Sequence, residues 1–171
     1  MGNDHSSLTE KIATKKTRVD SPGIIFPPPL IYATLFVAAI LLQYKIPIDY
    51  SFFKSQSAEI AGILLFVTAA FFIFRSLTQF IKTRNTVITF KPAKSLQTTG
   101  IYSVSRNPMY TGLVFVYLAL TCFIGNWWNI ILLPLLFIIV KKYLIKREEQ
   151  YLIREFGNEY ITYQQTVRRW L

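Results

Sequence analysis

The sequence predicts an all-α integral membrane protein, a bundle of about four transmembrane helices with a cytoplasmic amphipathic C-terminal helix. Hydrophobic residues make up 52% of the 171 residues and charged residues only 16%, a balance that favours a membrane protein over a soluble domain. Four apolar segments approach or exceed the length of about 20 residues that crosses a bilayer. Basic residues stand beside these segments, where they can contact lipid headgroups.

Residues 24–171 are predicted to form one membrane domain behind a polar, basic tail over residues 1–23. The first span contains a run of three prolines from Pro27, so we expect its regular helix to begin near Leu30. The four spans cover, approximately, residues 24–44, 58–81, 109–124 and 128–145.

A tight turn with Gly125 and two tryptophans separates the last two spans, and its tryptophans suit the interface between lipid and water. The two spans are therefore predicted to form an antiparallel hairpin. Within it, Gly112 would permit close packing against another helix. Residues 146–171 alternate charged and aromatic side chains and are predicted to form a cap, with Gly157 as a break.

The distribution of Lys and Arg predicts the orientation of the chain, whose net charge is +10. The tail, the loop after the second span and the C-terminal part together hold sixteen of the nineteen, and the other two loops hold two. By the positive-inside rule, both termini are cytoplasmic in a multi-pass protein of a bacterial inner membrane or an ER-type membrane. Membrane lipids, and not nucleic acid, are the expected partners of these cations.

Cysteine and histidine are too scarce for several kinds of site. Cys122 is the only cysteine and lies inside an apolar run, which excludes an intramolecular disulfide and a thiolate cluster. His5 is the only histidine and lies in the polar tail, which argues against a histidine metal site or a Ser-His-Asp triad in the membrane. No metal centre is expected.

Arg106-Asn107-Pro108 is the first of two polar clusters that flank the hairpin. Proline is a common first residue of a helix, and Asn107 is expected to cap the third helix with its side chain. Arg106 would then lie at the positive end of a helix dipole, where backbone donors favour an anion such as a carboxylate or a phosphate.

Glu148 and Glu149 form the second cluster, where the fourth span leaves the membrane. A partly desolvated carboxylate makes a strong hydrogen bond to an ammonium group, so the two clusters together match an amino-acid head group. A solvated charge pair at a helix end explains the glutamates equally well. Rings for stacking or cation–π contact, also ordinary at a membrane interface, are offered by Tyr102, Tyr110, Tyr160 and Tyr163.

The two clusters belong to a series of short motifs: Gly100-x-Tyr102, Arg106-Asn107-Pro108-x-Tyr110-x-Gly112, Glu148-Glu149 with Leu152, and Phe156-Gly157-x-x-Tyr160-x-x-Tyr163. In this order and spacing they resemble the isoprenylcysteine carboxyl methyltransferase family, whose wider group includes phospholipid N-methyltransferases. The resemblance covers roughly residues 58–171. It implies a membrane methyltransferase that uses S-adenosylmethionine and acts on a lipophilic acceptor from the bilayer.

The resemblance also implies roles for individual residues. The cofactor pocket would contain Tyr102, Arg106, Asn107, Pro108, Tyr110, Glu148 and Glu149. The catalytic residues would be Arg147, Glu148 and Glu149. Weaker candidates for contact with the acceptor are Tyr160, Tyr163 and Arg168.

One departure from the family concerns the acceptor. Asn107 stands where the prenylcysteine enzymes typically carry histidine, so the acceptor stays open among prenylated cysteine, a phospholipid amine, a small thiol and a quinone-like lipid. Two other functions also stay open: a membrane reductase of the sterol reductase type, and a non-catalytic transporter or scaffold. The ligand would separate them, because only the methyltransferase binds S-adenosylmethionine and only the reductase binds NADPH.

Overall fold

The computed structural model describes residues 22–83, 93 and 95–171. Within these residues the chain is helical and contains no strand, which confirms the predicted all-α class. The predicted tail up to residue 21 and three cations of the second loop, Arg84, Lys91 and Lys94, lie outside the described residues. The helices are α1 (Pro28–Lys45), α2 (Gln56–Lys82), α3 (Pro108–Ile124), α4 (Trp127–Ile139), α5 (Lys146–Phe156) and α6 (Asn158–Thr166), with 3-10 turns at Ser51–Lys54 and Gly100–Ser103 and a π-helical stretch at Val140–Ile145.

Three helical stretches are long and apolar enough to cross a membrane: α1, α2 and the continuous helix Trp127–Phe156 that joins α4 to α5. α3 is apolar too, but its 17 residues stand at the short end of the range that crosses a bilayer. Both of its ends are set by local chemistry. Pro108 begins the helix, and Gly125, with a φ of 72°, ends it in a left-handed cap.

The helix starts include two corrections to the sequence predictions. α1 begins at Pro28, two residues before Leu30, because proline lacks the N–H that a first helical turn leaves unpaired. Asn107 does precede α3, but the prediction that its side chain caps this helix is wrong, since it makes no capping hydrogen bond. A side-chain cap of this kind is found at a different helix, α4, where the side-chain oxygen of Asn126 accepts a hydrogen bond of 3.0 Å from the Trp128 N–H.

α2 and α3 form the most extensively packed helix pair of the bundle. A Cβ added at Gly112 would lie 2.7 Å from Cγ1 of Ile73, so a larger residue there would displace α2. This confirms the predicted close packing at Gly112, because small residues let helix backbones approach one another in a membrane. The small residues that α2 buries are Ala58, Gly62, Ala69 and Ser76.

α3 presents an aromatic face to α1 and α4. Tyr110 and Tyr117 of α3 share a buried core with Tyr32 of α1 and Leu136 of α4. The rings of Phe36 and Tyr117 meet edge to face, with their centroids 5.4 Å apart. α3 therefore has two different faces. The face toward α2 contains the small residue Gly112, and the other face is aromatic and carries tyrosine hydroxyl groups into the bundle.

The long C-terminal helix changes its geometry just before the polar cluster. Pro134 lies inside α4, and the helix widens to a π-helical form over Val140–Ile145. Such turns are rare and frequently occur at functional sites. α5 carries Glu148 and Glu149 in its first turn, and Gly157, with a φ of 53°, separates α5 from α6 as the sequence predicted.

Gly112→Val is expected to destabilise the bundle, because the added carbons would push α3 away from Ile73. Overpacking of a tight contact costs about 1–3 kcal/mol. Thermal unfolding in detergent, followed by circular dichroism, would show this as a lower midpoint. Ala70→Val, on the exposed face of α2, is the control and should leave the midpoint unchanged. Equal midpoints for the two variants would contradict the close packing.

Candidate functional site

The structure brings the two predicted polar clusters together. Nη1 of Arg106 lies 3.1 Å from Oε1 of Glu149, and the two side chains are only 11% and 12% exposed. Arg106 comes directly before the turn into α3, and Glu149 lies in the first turn of α5. A buried ion pair of this kind joins segments that are far apart in the sequence.

Glu149 also binds Arg169, which the sequence analysis did not place among the candidates. Nε of Arg169 donates to Oε1 of Glu149 at 2.9 Å, and Nη2 donates to Oε2 at 2.7 Å. This bidentate geometry is among the strongest that a carboxylate accepts, and the hydrogen bond to Glu149 raises the pKa of Arg169. The only signal in the sequence is the pair Arg168-Arg169 near the C-terminus, and the family resemblance implies a role for Arg168 alone.

The C-terminal residues lie across the segment before α3 and bind it through their main chain. The Arg106 N–H donates to the Arg168 carbonyl at 2.9 Å. The Asn107 amide and the Ser105 hydroxyl donate to the Arg169 carbonyl, at 3.0 Å and 3.2 Å. The Asn107 side chain therefore holds the C-terminus in place, which is why it does not cap α3.

Glu148 faces a different environment from Glu149. The Tyr110 hydroxyl donates to Oε2 of Glu148 at 2.9 Å, and the Tyr32 hydroxyl donates to the Tyr110 carbonyl at 3.2 Å. Glu148 lies three residues beyond the apolar stretch that ends at Ile145. Burial raises its pKa and the charge of Glu149 raises it further, while the Tyr110 hydrogen bond acts in the opposite direction.

Three more predicted tyrosines lie buried at this end of the bundle. The Tyr163 hydroxyl donates to the Tyr102 carbonyl at 2.5 Å, and the rings of Tyr160 and Tyr163 lie 6.0 Å apart. Burial raises the pKa of Tyr160 to about 12, and the charge of Glu149 contributes to the rise, so this ring lies within electrostatic reach of the ion-pair cluster. The cap formed by α5 and α6 therefore places aromatic rings beside charged groups.

Two of the predicted site residues are not brought into the cluster. Nη1 of Arg147 donates to the Gly23 carbonyl at 2.9 Å, and its guanidinium stacks 4.5 Å above the ring of Tyr143. Successive residues of an α-helix point about 100° apart, so Arg147 and Glu149 cannot share one face of α5. The side chain of Arg168 is exposed, and this residue takes part through its carbonyl.

The Arg106 guanidinium has donors available for a ligand. Its Nε and Nη1 atoms are buried and, among the described residues, have no hydrogen-bond partner beyond the ion-pair contact with Glu149. Buried donors of this kind are rare, because an unpaired group loses its hydration without compensation. The cluster therefore presents cationic donors for an anion and a carboxylate for a cation at neighbouring positions.

An apolar groove of about 280 Å³ opens between α1 and α3. Tyr32 lies in its wall, and its hydroxyl contacts the backbone of Tyr110, whose own hydroxyl contacts Glu148. Hydrogen bonds through Tyr110 thus link one residue of the groove wall to the polar cluster. Other residues in its wall are Phe36, Leu113, Val116 and Tyr117.

Comparison with known proteins gives one family. The family described as phospholipid methyltransferase matches residues 57–159 of the chain. A Haemophilus influenzae protein described only as uncharacterized is 42% identical over 66 residues, which are 37% of this chain and 100% of that protein. No solved structure matches. The family match contains Arg106, Tyr110 and both glutamates of the site, and it ends before Arg169.

The raised pKa of Glu148 predicts how stability depends on pH. Folding raises this pKa above its usual value of 4.5, so the folded state holds the proton more tightly than the unfolded state. The resulting contribution to stability is complete below the unfolded pKa and is lost as the pH rises through the folded pKa. Glu148→Gln removes this titration and keeps an oxygen that can accept the Tyr110 hydrogen bond.

We expect the unfolding midpoint of Glu148→Gln to fall less steeply from acidic to neutral pH, and to exceed the wild-type midpoint at neutral pH. Thermal unfolding in detergent across this range measures both effects. Glu155→Gln removes an exposed carboxylate from the same helix and should retain the wild-type profile. A Glu148→Gln profile parallel to that of the wild type would contradict the burial of this carboxyl.

Proposed function

The chain belongs to the phospholipid methyltransferase family, and we propose that it is an integral membrane methyltransferase that uses S-adenosylmethionine to methylate a lipophilic acceptor. The observation that carries the proposal is the buried pair of Arg106 and Glu149, with donors of Arg106 left for a ligand. An amino-acid head group has an ammonium and a carboxylate next to each other. The pair offers the complementary charges in the same arrangement.

The residues present fit the cofactor. Arg106 would bind the carboxylate of its methionine part, and Glu149 would bind the ammonium. Rings of Tyr102, Tyr160 and Tyr163 lie nearby and suit a flat heterocycle. The cofactor, when bound, supplies a methyl group on a sulfonium. The protein's contribution is to hold both partners in line and to keep water out, which accounts for a large part of the rate in such reactions.

The groove between α1 and α3 fits the hydrocarbon part of the acceptor. Its wall is apolar, so a lipid chain would lose no hydrogen bonds on entering it. Tyr32 in its wall is linked to Glu148 by hydrogen bonds through Tyr110. With its pKa raised by burial, Glu148 is suited to accept the proton that an amine acceptor releases as it is methylated.

Orientation in the membrane forms part of the proposal. The site lies at the end of the bundle where the continuous helix Trp127–Phe156 leaves its apolar stretch, beside the exposed cations Lys141, Lys142 and Lys146. The positive-inside rule assigns this end to the cytoplasm, where S-adenosylmethionine is made. The family transfers methyl groups, which favours this function over a reductase, a transporter or a scaffold.

Glu149→Ala is expected to weaken the binding of S-adenosylhomocysteine by roughly 30-fold or more, because truncating one partner of a buried charge pair costs about 2–5 kcal/mol. Calorimetric titration of detergent-purified protein measures the affinity. Glu155→Ala, which removes an exposed carboxylate of α5, should bind as the wild type does. Wild-type affinity in a folded Glu149→Ala protein, or in Glu149→Gln, would refute the assignment of Glu149.

Val116→Phe is expected to fill the groove and to lower kcat/KM for the acceptor by about tenfold, with no change in S-adenosylhomocysteine affinity. The assay follows the transfer of a radioactive methyl group to phosphatidylethanolamine and to N-acetyl-S-farnesylcysteine in mixed micelles. Val67→Phe adds the same ring on the exposed face of α2 and is the control. Unchanged kcat/KM in Val116→Phe would exclude the groove as the acceptor site.

A further inference from the structure

Residues 167–171 form a strap across the segment that precedes α3. Three hydrogen bonds anchor its main chain: the Arg106 N–H donates to the Arg168 carbonyl, and the side chains of Asn107 and Ser105 donate to the Arg169 carbonyl. At the end of the strap, the Trp170 ring meets the Phe137 ring edge to face, 5.5 Å between centroids. The strap is therefore an ordered part of the site.

The strap delivers one guanidinium to Glu149. A carboxylate has about four positions at which it accepts hydrogen bonds. Arg169 donates to both oxygens, at 2.9 Å and 2.7 Å, and Arg106 lies 3.1 Å from one of them. One position is left, so an ammonium group that donates more than one hydrogen bond to Glu149 must displace one of the two guanidinium groups.

The difference in burial between the two arginines indicates which guanidinium leaves Glu149. The Arg106 side chain is 11% exposed and its backbone N–H is tied to the strap, while the Arg169 side chain is 35% exposed at the rim. The partly exposed guanidinium of Arg169 can exchange its hydrogen bonds to Glu149 for hydrogen bonds to water, whereas moving Arg106 would leave a buried cation unpaired. Arg169 is thus the displaceable partner.

We propose that the strap is a displaceable cover in which Arg169 occupies the ammonium position of the site and is exchanged for the ammonium group of the incoming ligand. The inference rests on the proposed function and adds a conformational step to it. One positive charge replaces another, so Glu149 stays compensated throughout the exchange. A nucleoside without an ammonium group cannot make this exchange and leaves the strap in place.

The first test compares two ligands on two variants. S-Adenosylhomocysteine carries the amino-acid head group, and 5′-methylthioadenosine lacks it. Arg169→Gln removes the competing guanidinium and should bind S-adenosylhomocysteine about three- to tenfold more tightly. The reason is that the ligand no longer has to displace Arg169 before its ammonium group can bind Glu149. Its affinity for 5′-methylthioadenosine should not change. Arg154→Gln removes an exposed positive charge of α5, outside the strap, and should match the wild type for both ligands.

The second test follows the strap itself. The chain has three tryptophans, so Trp127→Phe with Trp128→Phe leaves Trp170 as the only tryptophan. S-Adenosylhomocysteine should shift Trp170 emission to the red as the ring leaves Phe137, and 5′-methylthioadenosine should not. Saturable S-adenosylhomocysteine binding with unchanged emission would overturn the proposal.

The two proposals fail in different ways. Absence of S-adenosylhomocysteine binding in both the wild type and Arg169→Gln would overturn the methyltransferase assignment and the strap with it. Binding by the wild type, with equal binding by Arg169→Gln, would overturn the strap proposal alone. Weaker binding by Arg169→Gln would overturn it too and would make Arg169 a direct ligand contact. Tighter binding by Arg169→Gln together with the Trp170 shift supports both.

Discussion

Compensation of one buried negative charge, that of Glu149, organises the functional end of this protein. An isolated buried carboxylate costs several kcal/mol, so Glu149 is stable in place only with cations next to it. These come from Arg106, two residues before the start of α3, and from Arg169, near the C-terminus. Three segments that are distant in sequence are therefore held at one point, and the main-chain hydrogen bonds of the strap follow from that arrangement.

α3 is the element that connects the membrane packing to this cluster. The face that contains Gly112 sets the distance to α2. The aromatic face, with Tyr110 and Tyr117, fills the space toward α1 and α4. Because Arg106 lies only two residues before Pro108, where the helix begins, the position of α3 in the bundle also constrains the position of the guanidinium. A change in the packing of α3 would thus move the Arg106 guanidinium in the site.

Two adjacent glutamates acquire different chemistry from the rotation of one helix. Consecutive residues of α5 point about 100° apart, so Glu149 meets two guanidinium groups while Glu148 meets the Tyr110 hydroxyl. Glu149 is bound by two guanidinium groups, and burial raises the pKa of Glu148. In the proposed reaction, Glu149 binds the head group of the cofactor and Glu148 accepts the proton.

The sequence by itself determined the helical class, the apolar segments, the glycine that separates α5 from α6 and the approach of the two polar clusters at one face. These depend on hydropathy, on local backbone chemistry and on a hairpin that returns the chain to the same face. Only the tertiary structure decided that Arg169 completes the cluster, that Arg147 turns away from it and that Asn107 binds the strap. The direction of a side chain depends on how its helix is rotated in the bundle. The position of the strap depends on contacts between residues about 60 positions apart in the chain. Local sequence patterns contain information on neither of these.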